Sequence, residues 1–284
     1  MTVQKFLSIQ SCVSYGYVGN CAITFPLQRL GVEVCPIHTV LFSNHTGYGS
    51  WKGQVLEPNL VEEIFEGLIE RGVIQDSQAL LTGYMGSIQL GNVMIRAIKQ
   101  LKKINPNLIY CCDPVFGDVG RGIFVKEEIP NFFKNDLFKY ADIVTPNHFE
   151  LEFLSDMTIN DLQTAIQAAR KVMKIGPSLV IVTSLIIDTT KKDLNVLVVD
   201  NKNEYLLTTP RLPIALNGTG DLTSALFTYF YSIHQKINIA LEETISRVYS
   251  IIAKTYEANS KELVLIESQD QLVTPKYRFE SVKC

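Results

Sequence analysis

Asn217-Gly218-Thr219-Gly220-Asp221 runs directly into residues 222–234, an apolar stretch with the spacing of a helix. A glycine turn that opens a helix gathers consecutive backbone N–H groups at one point, backed by the positive end of the helix dipole. An anion fits there, and glycine lets it approach the backbone closely. Asp221 stands where it can take a proton from an attacking alcohol, and phosphoryl transfer needs mainly positioning and charge stabilisation. Taken alone, the same residues are more often a plain helix cap. The surrounding sequence has to decide.

Outward from this turn, short apolar runs alternate with helical patterns. Strands are expected at 5–10, 33–42, 79–82, 108–112, 142–145, 179–183, 194–200, 204–208 and 263–266. Spacing near 3.6 marks helices at 20–30, 59–71, 90–104, 160–175, 221–234 and 239–258. Such alternation implies an α/β fold, a mainly parallel central sheet with helices on both faces. The pair 194–200 and 204–208, joined by Asn201-Lys202-Asn203, suits a hairpin, so a short antiparallel element is expected late in the chain. With no linker, repeat or low-complexity stretch, residues 1–284 read as one domain.

Composition narrows the function. Hydrophobic residues make up 46% and charged residues 19% of the 284, enough for a sizeable core, and the net charge of −3 comes without a basic block. Nucleic-acid and membrane-surface roles, which need clustered Lys and Arg, are therefore not expected. No run approaches the ~18 apolar residues of a membrane span, and no signal segment is read at the N-terminus. Lys102-Lys103 and Lys191-Lys192 read as solvated faces. The six cysteines show no CxxC spacing, and Cys111-Cys112 point to opposite faces of one strand. Reduced thiols in a cytoplasmic protein are expected. The sequons Asn44-His45-Thr46 and Asn217-Gly218-Thr219 fall inside site segments, where a glycan would block the site. A P-loop, a protein-kinase motif set, GxSxG and HExxH are all absent.

Ligands of such sheets bind beyond the carboxyl ends of the strands, and the polar residues cluster there. Asp113-Pro114 follows one strand, with Asp118 five residues on in a glycine-rich stretch. Thr145-Pro146-Asn147 with Glu150 follows another, and Thr183-Ser184 a third. Carboxylates and an amide are hard oxygen ligands suited to Mg²⁺ and its waters; singly, each is more often a turn residue or cap. At the N-terminal side, Ser8-Ile9-Gln10-Ser11, residues 14–20, 42–49 and Thr82-Gly83-Tyr84 mix hydroxyls, aromatics and glycines. That mixture suits a small, flat polar ligand. His45 and His148 border these motifs and read as structural.

These residues, in this order, resemble the pyridoxal kinases of the ribokinase-like superfamily. Tyr15-Gly16-Tyr17-Val18-Gly19-Asn20 and Phe42-Ser43-Asn44-His45-Thr46-Gly47-Tyr48 carry the resemblance most specifically, and the later motifs keep the family order. The resemblance implies an ATP-dependent kinase acting on the 5′-hydroxymethyl group of pyridoxal, pyridoxine or pyridoxamine. It places Ser11, Thr46 and Tyr84 in the vitamer pocket, with Val18, Val40 and Phe42 against the ring, and makes Asp221 the base. Gly218, Thr219 and Gly220 would form the anion hole, joined by Asn217 on the ATP side, where relatives often carry an apolar residue. Asp113, Asp118, Thr145, Asn147 and Glu150 would serve Mg-ATP and K⁺, with Asp113, Asp118, Thr145 and Glu150 nearest the metal. Thr183 and Ser184 match the Thr-Ser pair of animal-type members, where one bacterial branch has Lys at the first position. Residues 117–126 resemble a lid over ATP, shorter than in some relatives. The family is typically homodimeric. Another small-alcohol kinase of the superfamily, such as a hydroxymethylpyrimidine kinase, is the alternative; a silent scaffold is disfavoured by the intact Asp221, Gly218 and Glu150.

Overall fold

The computed structural model describes residues 3–187 and 193–284, so the Lys191-Lys192 pair lies outside the described residues. In chain order the elements are β1 (Lys5–Tyr15), α1 (Asn20–Arg29), β2 (Glu33–Asn44), β3 (Gly53–Val55), α2 (Pro58–Glu70), β4 (Ala79–Thr82), α3 (Ile88–Ile104) and β5 (Ile109–Cys112). The hairpin β6 (Gly117–Asp118) and β7 (Gly122–Ile123) follows, then α4 (Ile129–Phe132), β8 (Ile143–Val144), α5 (His148–Ser155) and α6 (Leu162–Met173). The last third holds β9 (Leu179–Leu185), β10 (Asp193–Asp200), β11 (Glu204–Pro210), α7 (Thr219–His234), α8 (Ile237–Glu257), α9 (Gln269–Val273) and β12 (Val282–Lys283).

Ten strands form one sheet in the order β12-β11-β10-β9-β8-β5-β4-β1-β2-β3. From β9 to β2 every neighbouring pair is parallel. The mainly parallel α/β fold expected from the sequence is what the chain adopts. Side chains on these strands alternate between two cores. Leu7, Leu80, Cys112, Val144 and Val180 face one core, covered by α2 to α6. Phe6, Leu81, Cys111, Ile143 and Ile181 face the other, covered by α1, α7, α8 and α9. Burial on both faces is why the strands read as unbroken apolar runs rather than as alternating ones.

The expected hairpin is β10–β11. The Asp200 carboxylate accepts from the Lys202 and Asn203 N–H groups at 2.7 and 2.6 Å and fixes its turn. Antiparallel pairing extends further than expected, to β9–β10, β11–β12 and β2–β3. Residues 263–266 are not a strand. Leu263 and Leu265 are buried against the helices, and the alternation that mimicked a strand belongs to a turn closed by Ser268 N–H donating to the Val264 carbonyl at 2.9 Å. Lys102 is not merely a solvated residue: its ammonium donates to the Asp142 carboxylate at 2.8 Å and to the Tyr140 carbonyl at 2.9 Å.

One buried amide joins the first three elements. Asn20, at the start of α1, donates to the carbonyls of Gln10 and Ile37 at 3.2 and 2.9 Å and accepts from the Ser8 hydroxyl at 2.7 Å. Asn20→Ala orphans these groups in a buried core, and each orphan costs about 1–3 kcal/mol. We expect urea unfolding to show a loss of about 3 kcal/mol; a loss under about 1 kcal/mol would mean that water takes the place of the amide.

Candidate active site

Every residue singled out in the sequence as a site residue lines one cavity of about 200 Å³ over the carboxyl ends of the parallel strands. Ser11, Val18, Val40, Phe42, Thr46 and Tyr84 form one end. Asp113, Asp118, Thr145, Asn147, Glu150, Thr183 and Ser184 form the other, and Asn217 to Asp221 lies between them. Strands β1 and β2 run on to Tyr15 and Asn44, beyond their expected ends, after a bulge between Gln10 and Cys12. Ser11 is thus held on sheet rather than on a loop.

The glycine turn is shaped by what it packs against. Gly218 has φ +80°, and a Cβ there would come within 1.8 Å of the Tyr17 carbonyl oxygen. Gly19 has φ +52°, and a Cβ there would meet the Ser11 carbonyl and hydroxyl oxygens at 2.4 Å. Glu262 presses on the same segment from the other side: its carboxylate accepts from Tyr17 N–H at 3.0 Å and from the Tyr48 hydroxyl.

At the acidic end, the Thr145 hydroxyl donates to Asp113 at 2.9 Å and lies 2.8 Å from the Ser224 hydroxyl, which donates to the Gly220 carbonyl at 3.0 Å. A polar chain therefore ties Asp113 to the turn. Asn147 and Glu150 make a capping box on α5, with reciprocal bonds of 2.9 Å. The other Glu150 oxygen accepts from Phe116 and Gly117 N–H at 3.1 and 3.4 Å, while the Asn147 amide donates to the Gly117 carbonyl at 2.8 Å. Both residues hold the root of the β6–β7 hairpin. Thr183 and Ser184 sit where β9 carries two residues opposite one of β10, with Ser184 at φ +52°. Bulges of this kind re-aim side chains beside active sites.

The cavity also has features that the motifs did not announce. His45 lines it and accepts from Gly47 N–H at 3.0 Å, its proton affinity lowered by burial and by Arg121. Arg121, at the hairpin tip, is the one Lys or Arg among the described lining residues. A second cavity adjoins the acidic end, sharing Asn147, Thr183, Ser184 and Asn217, and is walled by Val196, Leu212, Ile214, Val248 and Ile252. These apolar residues come from β10, α8 and the segment before α7, so no local motif marks them. Among the described residues, no three His, Cys, Asp or Glu side chains cluster as a metal cage.

The model of the phosphomethylpyrimidine kinase family matches residues 27–265. The pyridoxal kinase PdxY of Rubrobacter xylanophilus is 45% identical over 277 residues, 97% of this chain and 96% of that protein. The chain belongs to the pyridoxal kinase family. The Dictyostelium discoideum pyridoxal kinase is 37% identical, covering 98% of this chain and 99% of its own. Among solved structures, Leishmania donovani pyridoxal kinase in complex with ADP and pyridoxamine superposes with a TM-score of 0.93 at 30% identity, covering 99% of both chains.

For a pyridoxal kinase, the electrostatics of the acidic end are informative. Burial, then repulsion from Asp221, raises the Asp113 carboxyl to about 7. Burial raises Asp221 as well, against opposing hydrogen bonds from the N–H groups of Gly19 and of Asp221 itself. Glu150 is raised well above the usual range by burial and by Asp113. A carboxyl whose pKa is higher folded than unfolded binds its proton more tightly in the fold. Stability from that proton is present at low pH and is lost as pH rises from the unfolded pKa through the folded one. Without divalent cation or nucleotide, the protein should therefore lose stability between about pH 4 and pH 7. Asp113→Asn removes the Asp113 share of that loss, raising stability at pH 8 by up to about 4 kcal/mol and changing little at pH 4. Equal melting temperatures for the two proteins at pH 8, in chelator, would show that Asp113 is not strained by its burial.

Proposed function

We propose that this chain transfers the γ-phosphoryl group of ATP to the 5′-hydroxymethyl oxygen of pyridoxal, pyridoxine or pyridoxamine. The observation that carries the reading is one cavity whose hydroxyl-and-aromatic end and acidic end meet at Asp221 and the glycine turn. Ser11, Thr46 and Tyr84 would bind the polar edge of the vitamer ring, and Val18, Val40 and Phe42 its faces. The vitamer's hydroxyl then points at Asp221. As the oxygen closes on the γ-phosphorus its proton passes to that carboxylate, and the bond to ADP breaks. Burial raises the pKa of Asp221, which makes it a stronger base than a solvated carboxylate. N–H groups of the turn from Gly218 to Asp221 would hold the charge that builds on the phosphoryl oxygens, aided by the dipole of α7.

The adjoining apolar cavity would take the adenosine. Asp113, Asp118 and Thr145 offer hard oxygens for Mg²⁺, which supplies charge neutralisation of the phosphates and keeps several waters. Glu150 and Asn147, whose polar atoms hold backbone groups, would support the metal's side of the site through charge and through the lid root. Arg121 would add a positive charge over the phosphates from the lid, and Thr183, Ser184 and Thr145 suit phosphate or K⁺. The whole length acts as a single kinase domain, working in the cytoplasm as a homodimer. No helix among the described residues is long and apolar enough to cross a membrane.

Purified protein given Mg-ATP, with and without K⁺, should phosphorylate the three vitamers; phosphorylation of hydroxymethylpyrimidine alone would overturn the reading. Asp221→Ala and Asp221→Asn should fold normally and lower kcat by at least ~10²-fold, the lower range of general-base contributions. Near-normal turnover in either variant would remove Asp221 from the proton transfer.

A further inference from the structure

Outside the cavity lining, a pair of thiols stands in contact. The sulfurs of Cys12, on β1, and Cys21, in the first turn of α1, are 3.5 Å apart. Both are half-buried and neither is in a disulfide. Cys21 also lies 3.1 Å from the Val13 carbonyl, the acceptor for its proton while the thiol retains it. The hydrogen bond with Cys12 holds the Cys21 thiol down to about 6, whereas Cys12 is raised. One sulfur is thus disposed to ionise near neutral pH with a second, protonated one beside it, the arrangement of an attacking and a resolving thiol.

The position of the pair gives it a consequence. Cys12 follows Ser11 and Cys21 follows Asn20, so the two sulfurs flank the contact between Ser11 and Gly19. The segment between them includes Tyr17, whose carbonyl packs on Gly218, Val18 in the cavity lining, and Gly19, whose N–H supports Asp221. Joining the sulfurs closes 3.5 Å to about 2.05 Å and draws β1 and α1 together across that segment.

We propose that Cys12 and Cys21 form a modification site, a dithiol that a hydroperoxide converts to an intramolecular disulfide with loss of kinase turnover. The Cys21 thiolate attacks the terminal peroxide oxygen; the S–O bond forms, the O–O bond breaks, and the alkoxide leaves as an alcohol after taking a proton. Cys12, giving up its proton, then attacks the sulfenic sulfur; the S–S bond forms and hydroxide leaves as water. Two thiols are oxidised by two electrons and one hydroperoxide is reduced. The disulfide chemistry stands by itself, while its effect on turnover rests on the function proposed above.

Trypsin cuts after Lys5 and Arg29, with no Lys or Arg between, so residues 6–29 form one peptide holding both sulfurs and no other cysteine. After treatment of the whole protein with hydrogen peroxide, that peptide should lose the mass of two hydrogens and resist alkylation until reduced. Turnover of pyridoxal should fall at least ~10-fold, because displacing positioned groups by an ångström costs up to about 10²-fold. Dithiothreitol should restore it. Cys12→Ser and Cys21→Ser should keep basal activity and resist the loss. Alkylatable thiols at both positions after oxidation would overturn the site, and a disulfide with unchanged turnover would overturn its link to the pocket. If the reduced protein fails to phosphorylate pyridoxal, the proposed function falls, yet the peptide mass still decides the chemistry of the pair.

Discussion

A side chain at position 218 has no room: its first carbon would lie 1.8 Å from the Tyr17 carbonyl oxygen, far inside van der Waals contact. This backbone-to-backbone contact joins the N-terminal motif to the last one, though some 200 residues separate them. Gly19 repeats the device against Ser11, and Asn20 anchors the segment's far end in the core. Glu262 closes it from the rear. Because the contact of Gly218 with Tyr17 is made by main chain, no rotamer change can loosen it. The distance between the pocket wall and the turn that opens α7 is set as rigidly as the sheet itself.

The same rigidity makes the acidic end costly to fold. Asp113, Glu150 and Asp221 are drawn out of water with neighbours of like sign, and hydroxyls from Thr145 and Ser224 only partly offset this. Backbone N–H groups satisfy Glu150 fully enough to keep it as a structural brace. Asp113 has less help, and the strain concentrates there. Ser184, in a left-handed conformation on a strand, is a second local departure from what the chain prefers. Both lie on the cavity wall, where ligand contacts can compensate for what packing does not.

Most of the architecture was legible because both faces of the sheet are buried. Apolar runs of strand length between helical patterns leave few alternatives to a parallel sheet, and the strand-end rule gathered the motifs correctly into one cavity. Residues 263–266 misled because alternate burial is shared by a strand and by a turn packed on helices. Strand β3, exposed throughout, had no apolar signature to read. Glu262 and the walls of the second cavity were invisible for another reason: their partners are distant in sequence, and their residue types are ordinary. Cys12 and Cys21 are nine positions apart, a spacing with no meaning until a strand and a helix place them side by side.

The β6–β7 hairpin is fastened unevenly. Its root at Phe116 and Gly117 is bonded to the Asn147–Glu150 box, while its tip carries Gly120 and Gly122 at positive φ over open space. Freedom to diverge lies at the tip: insertions or exchanges between Asp118 and Gly122 would leave the sheet and the capping box untouched. Evolution, or an engineer, can alter that tip as a replaceable part, without renegotiating the fold that carries it.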